Sequence, residues 1–208
     1  MSGPAPGGRA LDVAMAEWGA VVREPTANAP NDAIRIDAYI RDHQGLSKST
    51  AALKPTDSRE YTRNGQFQWC GAFAAFCWGA QGLDAKVRGL RFPSTYKLGS
   101  TEAKHGPPLP RVALDDLQPG DVLVVGRGPA AGGKVWGDHI TLVMHVLDGL
   151  AYTVEGNARG KLGDGTVGEG VVCRTRPLVA LPASARCPVS GLTQSMHAMM
   201  AYRPEVPA

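Results

Sequence analysis

The hydrophobic periodicity of this 208-residue chain differs between its two halves, and that difference constrains the fold more than any other feature. In the first half, apolar residues recur at helical spacing over 11–22 and 32–42, which predicts two helices. In the second half, short apolar runs bounded by turn residues predict four strands, at 121–125, 139–147, 151–155 and 170–174. Helices followed by a meander of strands indicate an α+β fold whose antiparallel sheet comes from the C-terminal half.

A third apolar segment lies between these two patterns, at residues 66–78. Phe73, Cys77 and Ala80 recur there at positions i, i+4 and i+7, which predicts a buried helix. The pattern starts at or just before Cys70, and Gly79 is a natural terminator. This helix should pack against the C-terminal sheet.

Length, composition and charge favour one compact domain and exclude several classes of function. With 43% apolar residues, the chain can bury one sizeable core, so we expect a flexible segment over 1–10 and a single domain over 11–208. A net charge of +3 without basic runs argues against nucleic-acid binding. The N-terminus lacks a signal-peptide pattern and no apolar run is long enough to span a membrane. We therefore expect a monomer synthesised in the cytoplasm.

The four cysteines, Cys70, Cys77, Cys173 and Cys187, form no C-x-x-C pair. This spacing argues against a zinc site or a thioredoxin-type redox site, and we expect no metal. Cys70 and Cys77 are too far apart along one helix for a disulfide. A bridge between Cys173 and Cys187 stays open.

Cys70 is a candidate nucleophile because a cysteine in the first turn of a helix meets unpaired backbone N–H groups and the positive end of the helix dipole. Both favour the thiolate. The alternative is that Cys70 is a small core residue, as most free cysteines are, and we assign Cys77 to the core for that reason.

A cysteine nucleophile needs an imidazole base on a rigid element, and we choose His139 because it begins a predicted strand. His145 lies roughly 20 Å further along that strand at about 3.3 Å per residue, too far to serve the same thiol. Glu155 closes the next strand and would meet His139 across a hairpin, provided that a bulge or a stagger corrects the register. It could instead be a plain surface carboxylate.

Four motifs resemble those of the CHAP group of cysteine, histidine-dependent amidohydrolases and peptidases, within the NlpC-like, papain-like superfamily. They lie at residues 69–73 (WCGAF), 117–122 (LQPGDV), 137–143 (GDHITLV) and 154–157 (VEGN). The resemblance covers roughly residues 11–177 and implies a papain-like fold. It also implies that Cys70 is the nucleophile, His139 the base, Glu155 the residue that orients His139, and Asn157 a supporting polar residue.

The resemblance implies hydrolysis of an amide bond in peptidoglycan, either between N-acetylmuramic acid and L-alanine or within the stem peptide or cross-bridge. An enzyme made without a leader would reach the periplasm or cell wall of a target cell by phage lysis or as an injected antibacterial effector, which would imply a cognate immunity protein. Alternatives are a cysteine protease or deamidase that acts on protein, and an inactive module that binds cell wall or a partner.

The side-chain donor of the oxyanion hole stays undecided. The oxyanion hole should combine the Cys70 backbone N–H with an upstream side-chain donor, for which Gln68, Gln66 and Asn64 are candidates that the spacing does not separate.

A nucleotide-binding loop is rejected. Residues 128–134 (GPAAGGK) approach a phosphate-loop pattern, but Val135 replaces the required Ser or Thr and no helix pattern follows. No nucleotide or other cofactor is expected.

Overall fold

The structure is a computed structural model that describes residues 6–23, 35–36, 38–39, 69–79, 109–127, 139–179, 186–194 and 196–204. These ranges contain two helices, α1 (Pro6–Gly19) and α2 (Cys70–Gly79). They also contain six strands: β1 (Arg111–Val112), β2 (Val122–Gly126), β3 (His139–Leu147), β4 (Leu150–Lys161), β5 (Val167–Pro177) and β6 (His197–Tyr202). The remaining described residues are turns, bridges, irregular segments and the helical residues 35–36 and 38–39.

The six strands form one antiparallel sheet in the order β1-β6-β2-β3-β4-β5. The middle of the sheet is a meander, because β2, β3, β4 and β5 are neighbours in both sequence and space. Asp148 and Gly149 make the tight β3–β4 turn with positive φ angles of 50° and 71°. The predicted α+β class with an antiparallel C-terminal sheet is confirmed.

Strands β4 and β5 run further than their sequence patterns predict. The pattern of β4 stops at Glu155, where Gly156 and Asn157 signal a turn. The strand continues instead through a bulge between Glu155 and Ala158, at which Asn157 adopts a φ of 56°. A bulge absorbs an extra residue without ending the ladder, so turn-forming residues are compatible with a long strand here.

Strand β6 has no counterpart in the sequence analysis. Its sequence, HAMMAY, contains no β-branched residue, so it carries little intrinsic strand signal. The strand forms because β2 offers it an open edge, with Leu123 paired to Ala201. Pairing on both sides makes β2 an internal strand, and all five of its residues are buried.

Helix α1 begins at Pro6, before the helical pattern predicted over 11–22. Proline is favoured at the first helical position because its missing N–H has no intrahelical acceptor there. Gly7 packs against the turn before β2 so closely that a Cβ on it would lie 2.4 Å from the carbonyl oxygen of Pro119. Packing on this turn stabilises a start that composition alone does not predict.

The two faces of the sheet pack against different parts of the chain. One face packs against both helices and forms the larger core, which includes Trp69, Phe73, Trp78, Ile140 and Leu142. The opposite face carries a smaller cluster, with Leu123, Val125, Val143 and Ala151 among its members. Helix α2 lies in the larger core and contacts strands β3 and β4, which brings its N-terminus to the edge of the central strands.

Within the described ranges, no helix has both the length and the hydropathy needed to cross a membrane.

Candidate active site

Cys70 is the first residue of helix α2 and is buried. The helix starts there because the carbonyl of Trp69 accepts its first hydrogen bond, from the N–H of Phe73 at 2.9 Å. The thiol of Cys70 makes hydrogen bonds with the backbone of Gly71 in its own helix and of Ile140 in β3. The nucleophile candidate therefore lies at a helix N-terminus and is in contact with the central sheet.

Gly156 allows the helix to approach the sheet this closely. A Cβ at this position would lie 2.6 Å from the Cβ of Phe73 and 2.6 Å from Cζ3 of Trp69. Since Phe73 lies in the first turn of α2 and Trp69 directly precedes the helix, a side chain at Gly156 would push the helix away from β4. The small residue between Glu155 and Asn157 thus has a packing role, because it lets helix α2 lie directly against the strand.

His139 is the first residue of β3 and connects the thiol to a carboxylate. Its side chain hydrogen-bonds to the thiol of Cys70. Its Nε2 lies 3.1 Å from Oε2 of Glu155. Because Nε2 faces the carboxylate, Nδ1 is the ring nitrogen left for the thiol. The three side chains form a continuous hydrogen-bonded chain of thiol, imidazole and carboxylate.

Of the two ways to correct the register between His139 and Glu155, a bulge or a stagger, the structure shows a bulge at Met144. The β3–β4 ladder pairs Val143 with Thr153 but His145 with Tyr152, so one extra residue is present on β3. This shift corrects the register, and Glu155 reaches the end of the sheet at which His139 begins β3.

Glu155 is fully buried and accepts hydrogen bonds from three side chains. Besides His139, the hydroxyl of Thr153 donates to its Oε1 at 2.6 Å. Arg176 on β5 donates from Nε to Oε1 at 2.7 Å and from Nη2 to Oε2 at 2.5 Å. This environment excludes the alternative that Glu155 is a surface carboxylate.

The protonation of the Cys70–His139 pair departs from that of free side chains. Burial raises the pKa of the Cys70 thiol, but the positive charge and hydrogen bond of His139, with the two backbone hydrogen bonds, lower it overall below its usual value. Burial lowers the pKa of His139, but the charge and hydrogen bond of Cys70, followed by those of Glu155, outweigh it and raise the pKa to about 9. Both shifts favour a thiolate paired with an imidazolium at neutral pH.

The pKa of the Glu155 carboxyl is held far below its usual range. Burial acts to raise it, and the charges and hydrogen bonds of Arg176 and His139 outweigh that effect. Glu155 is therefore an ionised acceptor throughout the pH range in which an enzyme works. As such an acceptor it fixes the tautomer and orientation of the imidazole ring.

The other residues singled out in the sequence have different surroundings. His145 is exposed near the far end of β3, where its ring stacks on Tyr152 with centroids 4.3 Å apart. Asp121 precedes β2 and accepts hydrogen bonds from the backbone of Gln118 and from Arg203, which makes it a structural residue of the turn. Asn157 lies in the β4 bulge, where its left-handed backbone conformation suits asparagine better than most residues.

All four cysteines are free thiols, so the bridge left open between Cys173 and Cys187 is not formed. The oxyanion candidates Gln68, Gln66 and Asn64 lie outside the described residues, as do 137–138 and the glycine-rich 128–134. The described part of the chain contains no group of three or more His, Cys, Asp or Glu side chains placed to hold a metal ion.

The sequence patterns did not single out two members of this cluster, Thr153 and Arg176. The fourth predicted strand ends at residue 174, whereas β5 continues to Pro177. Alternation along the extended strand puts Arg176 opposite Ala151, on the same face as Glu155. A buried carboxylate also requires a cation, and that requirement was the available signal.

No protein-family model, curated protein or solved structure matches this chain. Its function is therefore inferred from its own residues.

Proposed function

We propose that this protein is a papain-like cysteine amidohydrolase that cleaves an amide bond of bacterial peptidoglycan. The observation that carries the proposal is the chain of hydrogen bonds from Cys70 through His139 to Glu155. A cysteine at a helix N-terminus, an imidazole on a neighbouring strand and an ionised acceptor behind it are the three parts of an activated thiol nucleophile.

The reaction follows from the protonation of these groups. The Cys70 thiolate attacks the amide carbonyl carbon and forms a tetrahedral intermediate. His139, protonated at neutral pH, donates its Nδ1 proton to the leaving amine nitrogen as the carbon–nitrogen bond breaks and a thioester remains. His139 then takes a proton from water, which attacks the thioester, releases the carboxylic acid and restores the Cys70 thiolate beside the protonated imidazole. Glu155 keeps the ring oriented in both steps.

The substrate class is supported by the sequence motifs rather than by the arrangement of the three side chains. WCGAF at 69–73, GDHITLV at 137–143 and VEGN at 154–157 resemble the motifs of peptidoglycan amidohydrolases. The helix packed on an antiparallel sheet is consistent with the papain-like fold of that group. The bond would be the N-acetylmuramoyl-L-alanine amide or one within the stem peptide or cross-bridge.

Digestion of purified sacculi tests the proposal, with mass analysis of the released fragments. We expect the wild-type protein to release fragments that carry the new carboxyl or amine end of a hydrolysed amide, and Cys70→Ala to release none. Cys77→Ser is the matched control, because it changes the other cysteine of α2 and should still release fragments. Cleavage of protein substrates but not of sacculi would show a protease, and loss of an amide nitrogen as ammonia would show a deamidase.

A further inference from the structure

The carboxylate of Glu155 accepts four hydrogen bonds, and the guanidinium of Arg176 donates two of them. Oε1 accepts from Thr153 and from Nε of Arg176, and Oε2 accepts from His139 and from Nη2 of Arg176. Two planar donors on one carboxylate fix its plane as well as its position. With Thr153 holding the same group from its own strand, the carboxylate has little freedom to turn away from the imidazole.

The ion pair between Arg176 and Glu155 is buried, with Arg176 only 4% exposed and Glu155 0% exposed. Surface ion pairs contribute little to the stability of a folded protein, but a buried carboxylate without a cation lowers that stability strongly. If the His139 imidazolium were the only cation beside Glu155, its charge would be shared between this carboxylate and the Cys70 thiolate. Arg176 neutralises Glu155, so that the imidazolium charge stays available to Cys70.

Among the described residues, two further titratable groups on β5 feel the charge of Glu155, and neither replaces Arg176 as its partner. The charge of Glu155 acts on Cys173 and Arg174. Arg174 instead donates hydrogen bonds from its terminal nitrogens to the carbonyl oxygens of Arg159 and Thr193. Cys173 is neutral at working pH, because burial raises the pKa of its thiol to about 12.

We propose that Arg176 is a positioning residue of the active site, whose two-point contact holds Glu155 ionised and oriented so that His139 forms its ion pair with Cys70. The inference rests on the proposed function for its meaning, since it concerns the same nucleophile. Arg176 has no contact with the thiol in this role and acts through Glu155.

The pH dependence of Cys70 alkylation by iodoacetamide, followed by peptide mass spectrometry, tests this role. In Arg176→Leu the carboxylate either stays charged and opposes the thiolate or takes a proton and releases the imidazole. Both effects move the acid limb of the alkylation profile to higher pH, by about one unit, which is about a tenfold lower rate at a fixed pH on that limb. Arg176→Lys, which keeps the charge and loses the fork, should shift the limb by less.

The same substitution in a Glu155→Gln background separates positioning from a general structural effect. If Arg176 acts through Glu155, Arg176→Leu should add no further shift there, because effects within one network are not additive. An equal shift in both backgrounds overturns the proposal, as does a folded Arg176→Leu protein with the wild-type profile. If Arg176→Leu does not fold by circular dichroism, an Arg176→Lys profile identical to wild type overturns the two-point role.

Alkylation does not depend on the substrate, so the two proposals can fail separately. A shifted profile in a protein that leaves sacculi intact would keep the role of Arg176 and reject peptidoglycan hydrolysis. Hydrolysis of sacculi with an unshifted profile would do the reverse.

Discussion

The two ends of helix α2 each carry a buried cysteine, and the structure gives the two thiols opposite chemistry. Cys70 begins the helix and Cys77 lies in its last turns, 5% and 0% exposed. The pKa of Cys70 is lowered, whereas burial and the nearby charge of Glu17 raise the pKa of Cys77 well above its usual value. Burial is nearly the same, so burial does not decide the difference.

What separates the two thiols is the set of partners that the rest of the chain supplies. At the N-terminus of α2, backbone hydrogen bonds and the His139 side chain favour the thiolate. Further along the helix, Glu17 accepts hydrogen bonds from Arg35 and Tyr39. Its negative charge raises the pKa of the nearby Cys77 thiol. A helix N-terminus alone lowers the pKa of a thiol only modestly, and a fixed cation beside the thiol lowers it much further.

Replacing His139 should erase the difference between the two cysteines and has the largest expected effect. Without the imidazolium, burial dominates and the pKa of Cys70 rises toward that of a core thiol. We expect hydrolysis in His139→Ala to fall by about 10²- to 10⁴-fold, nearly as far as in Cys70→Ala. Iodoacetamide labelling of Cys70 below pH 7 should slow markedly.

His145→Ala is the matched control for that experiment, because the exposed, stacked ring of His145 lies towards the other end of β3. It should leave both hydrolysis and labelling near wild type. Equal labelling rates in wild type and His139→Ala would mean that no thiolate–imidazolium pair exists.

Raising the pH should remove the proton of His139, and with it both a contribution to folding stability and the proton donor for hydrolysis. His139, whose pKa is raised to about 9, stabilises the folded protein while it is protonated. That contribution is complete below the pKa of the unfolded side chain and is lost as the pH rises through about 9. Hydrolysis should fall over the same range, about tenfold per pH unit above it, because the leaving amine loses its proton donor.

Labelling of Cys70 should not fall with hydrolysis on the alkaline side, since the thiolate persists after His139 loses its proton. Parallel loss of labelling and hydrolysis above pH 9 would instead indicate unfolding. Circular dichroism across the same pH series distinguishes these cases.

Cys77→Ser sharpens the comparison from the other side and has the smallest effect on chemistry. A hydroxyl at this fully buried position costs about 1–3 kcal/mol of unfolding free energy when it finds no partner. Cys70→Ala, at the start of the helix, should change stability by only about 1–2 kcal/mol. Denaturant unfolding measures both, and a stable but inactive Cys77→Ser protein would reverse the assignment of the two cysteines.

Periodicity predicted the elements whose own residues carry a strong pattern. The start of α2 at Cys70 and the whole of β3 follow from local apolar spacing, and their predicted bounds agree with the structure. Strand β6 and the second half of β4 did not follow, because partner strands and a bulge stabilise them against weak local preference. The same limit applied to Arg176, which lay just beyond the predicted end of its strand.

The sequence by itself determined that a cysteine begins a buried helix, that a histidine begins a strand and that a glutamate lies on the next one. Only the tertiary structure decided that these side chains meet, since their contact depends on the bulge at Met144 and on the close approach allowed by Gly156. It also decided that Arg176 neutralises Glu155. Local patterns report which face of an element is buried, whereas charge compensation depends on which side chains share that buried space.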